Sequence, residues 1–281
     1  MSGVADRLRD NGVAVYPTAM LLVFFLIPFL IMFAVSFFSR DEGAFFTPAF
    51  DLANYARFLS PFFFKVLVTS LGLSAAAAVI SVGVAVPFTY FVTRMEAGAQ
   101  SVILVFLLSV LSLSEVIIGF AWSTLLSQTA GIGNLLAALG ILESSRSFTP
   151  SLGALLLGLC YLGFPYAVLV IYPALSRLDP ELPEAARMLG ASPIRSFFNI
   201  VVPMLRNTIT GALILVFVFT LGAYLLPQVL GRPQHWTLSV HITDQAIFQS
   251  NLPFAAAMAI FLMLVSLAMV GLSSLLGQKR M

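Results

Sequence analysis

Six long runs of apolar residues divide the chain, and the segments between them hold most of the charged side chains. The runs cover residues 14–38, 66–92, 101–127, 152–173, 205–228 and 253–276. A helix of about 20 apolar residues crosses the hydrocarbon core of a bilayer, so each run predicts a transmembrane helix. The predicted fold class is therefore all-α: a polytopic membrane protein whose six transmembrane helices form a single domain over residues 1–281.

Composition supports this assignment and excludes several classes of function. Of the 281 residues, 60% are hydrophobic and 9% are charged, and the mean hydropathy is +1.02. Soluble domains are about a quarter charged, so the composition indicates an integral membrane protein. Spans of about 20 residues each, with their connections, use most of the 281 residues and leave no room for a soluble catalytic domain. The single cysteine, Cys160, excludes a disulfide framework and a thiolate metal cluster. The net charge of +2 gives no indication of a nucleic-acid partner.

The distribution of basic residues predicts the orientation. If the N-terminus is cytoplasmic, nine Lys and Arg residues lie inside and five lie outside, as the positive-inside rule requires. The inside set is Arg7, Arg9, Arg94, Arg177, Arg187, Arg195, Arg206, Lys279 and Arg280, and the outside set is Arg40, Arg57, Lys65, Arg146 and Arg232. Both termini are therefore predicted to be cytoplasmic.

The longest predicted cytoplasmic connection, within residues 174–204, has a structure of its own. Residues 179–203 predict two short helices, with Pro183 in the first turn of one and Gly190 as the left-handed residue beyond its end. Ser192 and Pro193 then begin a second helix, which Pro203 ends. Its apolar positions recur at helical spacing and predict an amphipathic elbow at the membrane surface: Ile194, Phe197, Phe198 and Val201.

A specific motif lies within this loop. It reads Glu184-Ala185-Ala186, three residues, Gly190, nine residues, and then Ile200, Val201, Val202 and Pro203. This resembles the EAA loop of permease subunits of bacterial ABC importers, in which EAA, three residues, Gly and nine residues precede Ile, any residue, Leu and Pro. The one departure is Val202, which stands where the family has Leu.

The resemblance implies a non-catalytic subunit with the type I importer permease fold, located in the bacterial inner membrane. The loop would form the coupling helix that docks into a groove of a separate ATPase subunit, and an ATPase dimer would bind the ATP and Mg. Glu184 would face basic or polar groups of that subunit, and Gly190 would permit the sharp turn. Further implied partners are a second permease, usually a non-identical homologue, and an extracytoplasmic solute-binding protein.

A second, looser resemblance concerns residues 114–135. This stretch contains Ala121-Trp122, Leu125-Leu126, and Gly131 followed by Gly133-Asn134-Leu135. It is similar to the corresponding segment of spermidine/putrescine-type permeases, which implies a polyamine-like or related small solute. The same residues are also compatible with an interfacial Trp followed by a glycine-rich turn.

Glu115 is the one acidic residue within a predicted span, near the middle of the third run. A carboxyl group at that depth is costly unless it faces protein, water or a partner. Four interpretations remain open: a structural hydrogen bond between helices, a residue of the translocation path that meets a cationic solute, an interface with a second permease, or a depth other than the middle of the span. Gly222 and Pro227 raise a similar choice between a bend and ordinary packing at the end of the fifth run.

Two other classes of function compete with the importer subunit. A self-contained secondary transporter would show internal repeats and polar sites for coupling ions at the membrane midplane. A membrane-embedded lipid-modifying enzyme would need clustered Asp, His or Lys at the membrane boundary. The outer segment contains His235, His241 and Asp244, but their spacing fits no common metal-ligand motif.

Overall fold

The computed structural model describes residues 16–40, 46–129 and 131–278. Within these ranges the chain is helical apart from its connections and an isolated antiparallel bridge between Ser39 and Thr47, which confirms the all-α class. The first two residues of the first predicted span lie outside the described residues, as do four of the predicted cytoplasmic cations: Arg7, Arg9, Lys279 and Arg280.

The helices follow the predicted runs, with extra short helices between them. In chain order they are α1 (Tyr16–Val35), α2 (Ala53–Ala56), α3 (Pro61–Val92), α4 (Ala97–Leu111), α5 (Glu115–Leu125), α6 (Ile132–Ala138), α7 (Leu152–Ser176), α8 (Glu181–Met188), α9 (Pro193–Met204), α10 (Arg206–Gly222), α11 (Leu225–Leu230), α12 (Leu238–Thr243) and α13 (Leu252–Gln278). Within the described ranges, four helices are each long and apolar enough to cross a membrane: α1, α3, α7 and α13. The pairs α4 with α5 and α9 with α10 bring the total to six if each bent pair counts as one span.

The third predicted span, 101–127, is not one continuous helix but two helices joined by a bend. The chain bends by 98° between α4 and α5, and Ser114 in the bend is extended at φ −63° and ψ 141°. Its side chain accepts a hydrogen bond from the backbone N–H of Val116 at 3.3 Å and so begins α5 as an N-cap. Glu115 is therefore the first residue of a helix, not the middle of one.

The fifth predicted span, 205–228, is also not one continuous helix. Helix α10 stops at Gly222 instead of continuing to residue 228, and Ala223 is extended before α11 begins. Pro227 has no backbone N–H and could not bond to the carbonyl of Ala223 in a continuous helix, so it favours a break at this point. The helix is therefore interrupted between Gly222 and Pro227.

The chain divides into two compact units, one of which comprises the described residues up to 63 and residues 241–264. Within this unit the Asn54 side chain donates a hydrogen bond to the carbonyl of Ser36 at 3.2 Å, and Ser36 and Tyr55 share a hydroxyl hydrogen bond of 2.7 Å. Phe58 stacks on Phe261 with ring centroids 4.8 Å apart. Helix α1 has no buried residue in its apolar window, as expected for a surface that faces lipid.

The other unit comprises residues 64–240 and 265–278 of the described chain and holds both candidate sites. Its core centres on α7, where Leu155 and Leu159 are fully buried. Leu226 and Leu230 of α11 pack into the same apolar cluster, together with Ile118 of α5. This packing fixes α5, α7 and α11 against one another around the bend that carries Glu115.

Candidate coupling loop and translocation cavity

Helix α8 forms the first half of the predicted elbow and carries acidic residues in its first turn. Glu181 and Glu184 lie there, where carboxylates interact favourably with the positive end of the helix dipole. The Asp179 side chain accepts a hydrogen bond from the backbone N–H of Glu181 at 3.0 Å. Glu184 and Ala185 are exposed, whereas Pro183 is buried. The helix therefore presents the start of the motif to solvent.

Gly190 ends α8 in the conformation that the sequence predicts. Its φ is +92°, in the left-handed region, and the N–H of Ala191 donates to the carbonyl of Ala186 at 3.0 Å. The N–H of Gly190 donates to the carbonyl of Arg187, also at 3.0 Å. These two bonds form a Schellman motif, which satisfies carbonyls at the helix end. A Cβ at Gly190 would meet no atom within 4 Å, so only the backbone conformation requires glycine here.

The second half of the elbow begins as predicted. Ser192 accepts a hydrogen bond from the N–H of Arg195 at 3.3 Å, and Pro193 occupies the first helical position. The buried Ser196 hydroxyl donates to the carbonyl of Pro183 at 2.9 Å and joins α9 to α8. The two helices therefore form one unit that can move together.

The predicted end and buried face of this second helix need correction. Pro203 lies inside the last turn of α9, and the 74° bend to α10 follows at Leu205. Val201 is fully buried, but Ile194 and Phe198 are 71% and 61% exposed, so they do not form a single packed stripe. A π-helical turn at Phe197–Val201 explains the difference, because it rotates the positions that a regular helical period would align.

The elbow connects to the membrane-spanning helices through its second half. The ring of Phe197 meets that of Tyr90 on α3 at 5.0 Å in an edge-to-face arrangement. Ile200 is half-buried and Pro203 is exposed, so the end of the motif lies where α9 turns into α10. A displacement of the elbow would therefore act on both α3 and α10.

Sequence reasoning missed the apolar tip of the elbow. Met188 is 89% exposed and Leu189 is 91% exposed, at the end of α8 just before Gly190. Exposed apolar side chains at the tip of a loop favour contact with another protein. The available signal was an apolar pair directly before the glycine turn of an otherwise charged helix.

Glu115 occupies the N-terminus of α5 and binds a neighbouring helix. Its Oε1 accepts a hydrogen bond from the backbone N–H of Leu226 at 3.1 Å. Leu226 lies in the first turn of α11, where backbone N–H groups have no partner within the helix. The half-buried carboxylate thus holds the broken ends of two helices together, as the structural interpretation requires.

The same carboxylate lines a cavity of about 460 Å³ between α4, α5, α7 and α10. Most of the lining is apolar, and the rings of Tyr166 and Phe219 meet there at 4.3 Å. Gly222, the last residue of α10, also lines the cavity. A carboxylate beside aromatic faces is an arrangement that attracts cations.

The residues of the second resemblance lie around the end of α5. Trp122 packs edge-to-face on Tyr161 of α7 at 5.6 Å, and Gly133 is buried against the backbone of Arg146. A Cβ at Gly133 would collide with the Arg146 carbonyl, so close backbone approach explains this glycine. Among the described residues, no group of three or more His, Cys, Asp and Glu side chains has the geometry of a metal site.

Comparison with known proteins agrees with this arrangement. The chain is 30% identical over 258 residues to the spermidine/putrescine transport system permease protein PotB of Salmonella typhimurium (strain SL1344), covering 91% of this chain and 89% of PotB. It is 29% identical over 255 residues to the xylose/arabinose import permease protein XacH of Haloferax volcanii, covering 85% of this chain and 78% of XacH.

The fold also matches a solved permease. A chain of the crystal structure of a bacterial ABC transporter involved in the import of the acidic polysaccharide alginate superimposes with a TM-score of 0.80 at 16% identity, covering 99% of this chain and 98% of the other. This match confirms the predicted fold of an ABC importer permease. Residues 99–281 match the family described as binding-protein-dependent transport system inner membrane component. The chain therefore belongs to this family and is a multi-pass inner-membrane permease subunit of a binding-protein-dependent ABC importer.

Proposed function

We propose that this permease forms half of a translocation pathway for a small cationic solute and is driven through the α8–α9 elbow by a separate ATPase dimer. The observation that carries the proposal is the exposure of Glu184, Met188 and Leu189 on a rigid pair of helices that packs against α3. ATP and Mg bind to the ATPase, and this chain supplies no catalytic group.

The elbow has the two properties that a coupling element needs. Its tip offers apolar side chains and the Glu184 carboxylate to a partner, and its base is fixed by the Ser196 hydrogen bond and the contact between Phe197 and Tyr90. When the ATPase subunits close, the tip moves with them and the base transmits this movement to α3 and α10. The bundle then changes from inward-facing to outward-facing.

The proposed topology places both termini and the elbow in the cytoplasm. The inside set of basic residues includes Arg94, between α3 and α4, and Arg187 and Arg195 on the elbow. The positive-inside rule favours this orientation. The solute-binding protein then delivers its ligand to the opposite face, and a second permease, homologous to this chain, completes the pathway.

The chemistry of the cavity beside Glu115 favours a cationic solute such as a polyamine. One carboxylate oxygen accepts the N–H of Leu226, and a carboxylate has further acceptor positions for an ammonium group in the cavity. Tyr166 and Phe219 add aromatic faces for the same charge. The similarity to a spermidine/putrescine permease supports this choice of solute.

Co-purification tests the coupling role. We would co-express the tagged chain with the ATPase subunit of its transporter, extract the complex in mild detergent and quantify the ATPase recovered per permease. Glu184→Arg should lower this recovery sharply because the motif carboxylate faces the partner. Glu181→Arg is the matched control, since it reverses an exposed charge in the same turn of the same helix. Equal recovery for both variants and the unmodified chain would refute the assigned role of Glu184.

A further inference from the structure

A second cavity, of about 590 Å³, lies between α3, the elbow and α10, away from Glu115. Val79 and Val86 of α3 form part of one side, and Leu213 of α10 lies across from them. Phe198, 61% exposed, borders the cavity from the elbow. We call this cavity the elbow groove; its lining is apolar over most of its length.

Two arginines line the elbow groove. Arg94 follows the end of α3 and Arg187 lies in the last turn of α8; both line the groove and both are exposed. The Arg94 guanidinium lies over the ring of Tyr90, 4.1 Å from its centroid. Among the residues that the structure describes, neither guanidinium forms an ion pair with a carboxylate. The groove thus combines an apolar lining with two exposed guanidinium groups.

The dimensions of the groove fit one leaflet of a bilayer. Val79 and Arg94 are 15 positions apart along α3 and the turn after it, which corresponds to about 22 Å at the rise of an α-helix. A single leaflet contributes about 15 Å of hydrocarbon, with the headgroup region beyond it. Arg94 therefore lies at headgroup depth when the apolar part of the groove lies among acyl chains.

We propose that the elbow groove binds an anionic phospholipid of the cytoplasmic leaflet. Its phosphate lies between Arg94 and Arg187, and an acyl chain occupies the apolar groove along α3 towards Val79. Anionic lipids are attracted to basic clusters at the cytoplasmic surface, so the charge of the groove matches this occupant. The depth assignment rests on the cytoplasmic location of the elbow in the proposed function.

The position of this lipid gives it an influence on coupling. It would contact α3, α8, α9 and α10 together, which are the helices that the elbow must move relative to the bilayer. Bound lipid therefore stabilises the elbow in the arrangement seen here.

Native mass spectrometry of the purified full chain, with whatever subunits co-purify, tests the proposal. The delipidated protein would be titrated separately with dioleoylphosphatidylglycerol and with dioleoylphosphatidylcholine. One arginine near an anionic headgroup changes binding about fivefold, so phosphatidylglycerol should bind more than fivefold tighter than phosphatidylcholine. Arg94→Gln with Arg187→Gln should abolish this preference, whereas Arg177→Gln, outside the groove, should retain it.

A second pair of variants tests the acyl site. Gly83 lines the groove, and a Cβ there would meet no atom within 4 Å, so Gly83→Leu should start without a backbone clash and place its side chain in the groove. This variant should weaken the binding of both lipids. Gly72→Leu is the control, because Gly72 lies on the same helix with equal free space and does not line the groove.

Three results would overturn the proposal. Equal affinity for the two lipids would exclude a headgroup site, and unchanged lipid binding by Gly83→Leu would exclude the acyl site. If Gly83→Leu instead changes the number of permease subunits in the complex, the groove is a protein interface. These readouts do not depend on ATPase recovery, so failure of lipid binding with normal ATPase recovery defeats this inference alone. Normal lipid binding without ATPase recovery would defeat the proposed function alone.

Discussion

The turn at Gly190 offers the sharpest test of the elbow, because its glycine is required by backbone conformation alone. Gly190 lies at φ +92°, and a Cβ there would meet nothing within 4 Å. The Cβ of Gly190→Val therefore meets no neighbour, and the substitution should act by opposing the left-handed conformation that the Schellman motif needs. Asn adopts left-handed conformations more readily than β-branched residues, so Gly190→Asn should have a smaller effect than Gly190→Val.

The magnitude follows from the backbone energy. An L-residue in the left-handed region costs about 1–2 kcal/mol, and a β-branched residue lies at the upper end of that range. A cost of 1–2 kcal/mol shifts a two-state equilibrium by a factor of about 5–30. If ATPase docking requires the native turn, ATP hydrolysis stimulated by the loaded binding protein should fall by about this factor in Gly190→Val.

The assay is ATP hydrolysis by the complete transporter in lipid nanodiscs, with and without loaded binding protein. Gly140→Val is the matched control: Gly140 has φ +71°, is equally free of neighbours, and lies outside the elbow between α6 and α7. Gly140→Val should lose a similar amount of local stability and retain the stimulation of ATP hydrolysis by the loaded binding protein. Full stimulation of Gly190→Val, or equal loss in Gly140→Val, would refute the reasoning.

Three further predictions concern single side chains. Glu115→Gln keeps an acceptor for the α11 backbone and should lower the unfolding temperature only slightly, while putrescine uptake falls roughly tenfold, since a charged partner strengthens a hydrogen bond by about 1–1.5 kcal/mol over a neutral one; unchanged uptake would mean that Glu115 has a structural role alone. Ser196→Ala removes the buried bond to the Pro183 carbonyl and should lower thermal stability by about 1–3 kcal/mol in detergent unfolding; no loss would show that the bond does not brace the elbow. Burial lowers the pKa of His241 below its usual 6.5, and the charge of Asp244 opposes this shift, so the contribution of His241 to stability is full above pH 6.5 and is lost as the pH falls through the folded pKa. The free energy of unfolding, measured between pH 7.5 and 5, should therefore lose this pH dependence in His241→Asn, and identical pH profiles for the variant and the unmodified chain would contradict the prediction.

The spans were predictable because each is marked by a long run of apolar residues, so that no single residue decides the assignment. Lys65 limited the second predicted span, yet α3 begins at Pro61: proline suits the first helical position, and the exposed Lys65 side chain can extend to the interface. The elbow was predictable for a different reason. Gly190 and the Ser192-Pro193 pair each have a local conformational preference that holds in any context.

The break beside Glu115 could not be predicted because its local signal is weak. Ser112, Leu113 and Ser114 interrupt the apolar run only weakly, and the partner that fixes the bend, the N–H of Leu226, is more than 100 residues away. Its location depends on the packing of α5 against α11. The cavity was hidden for the same reason, since its walls come from four helices.

The central claim is that this chain moves its solute only when an ATPase acts on the elbow. The most direct measurement is uptake of labelled putrescine and spermidine into proteoliposomes that contain the complete transporter, with ATP inside and loaded binding protein outside. We predict accumulation that requires ATP, continues with Glu181→Arg and is lost with Glu184→Arg. Accumulation without ATP, or equal accumulation by both variants, would contradict the account.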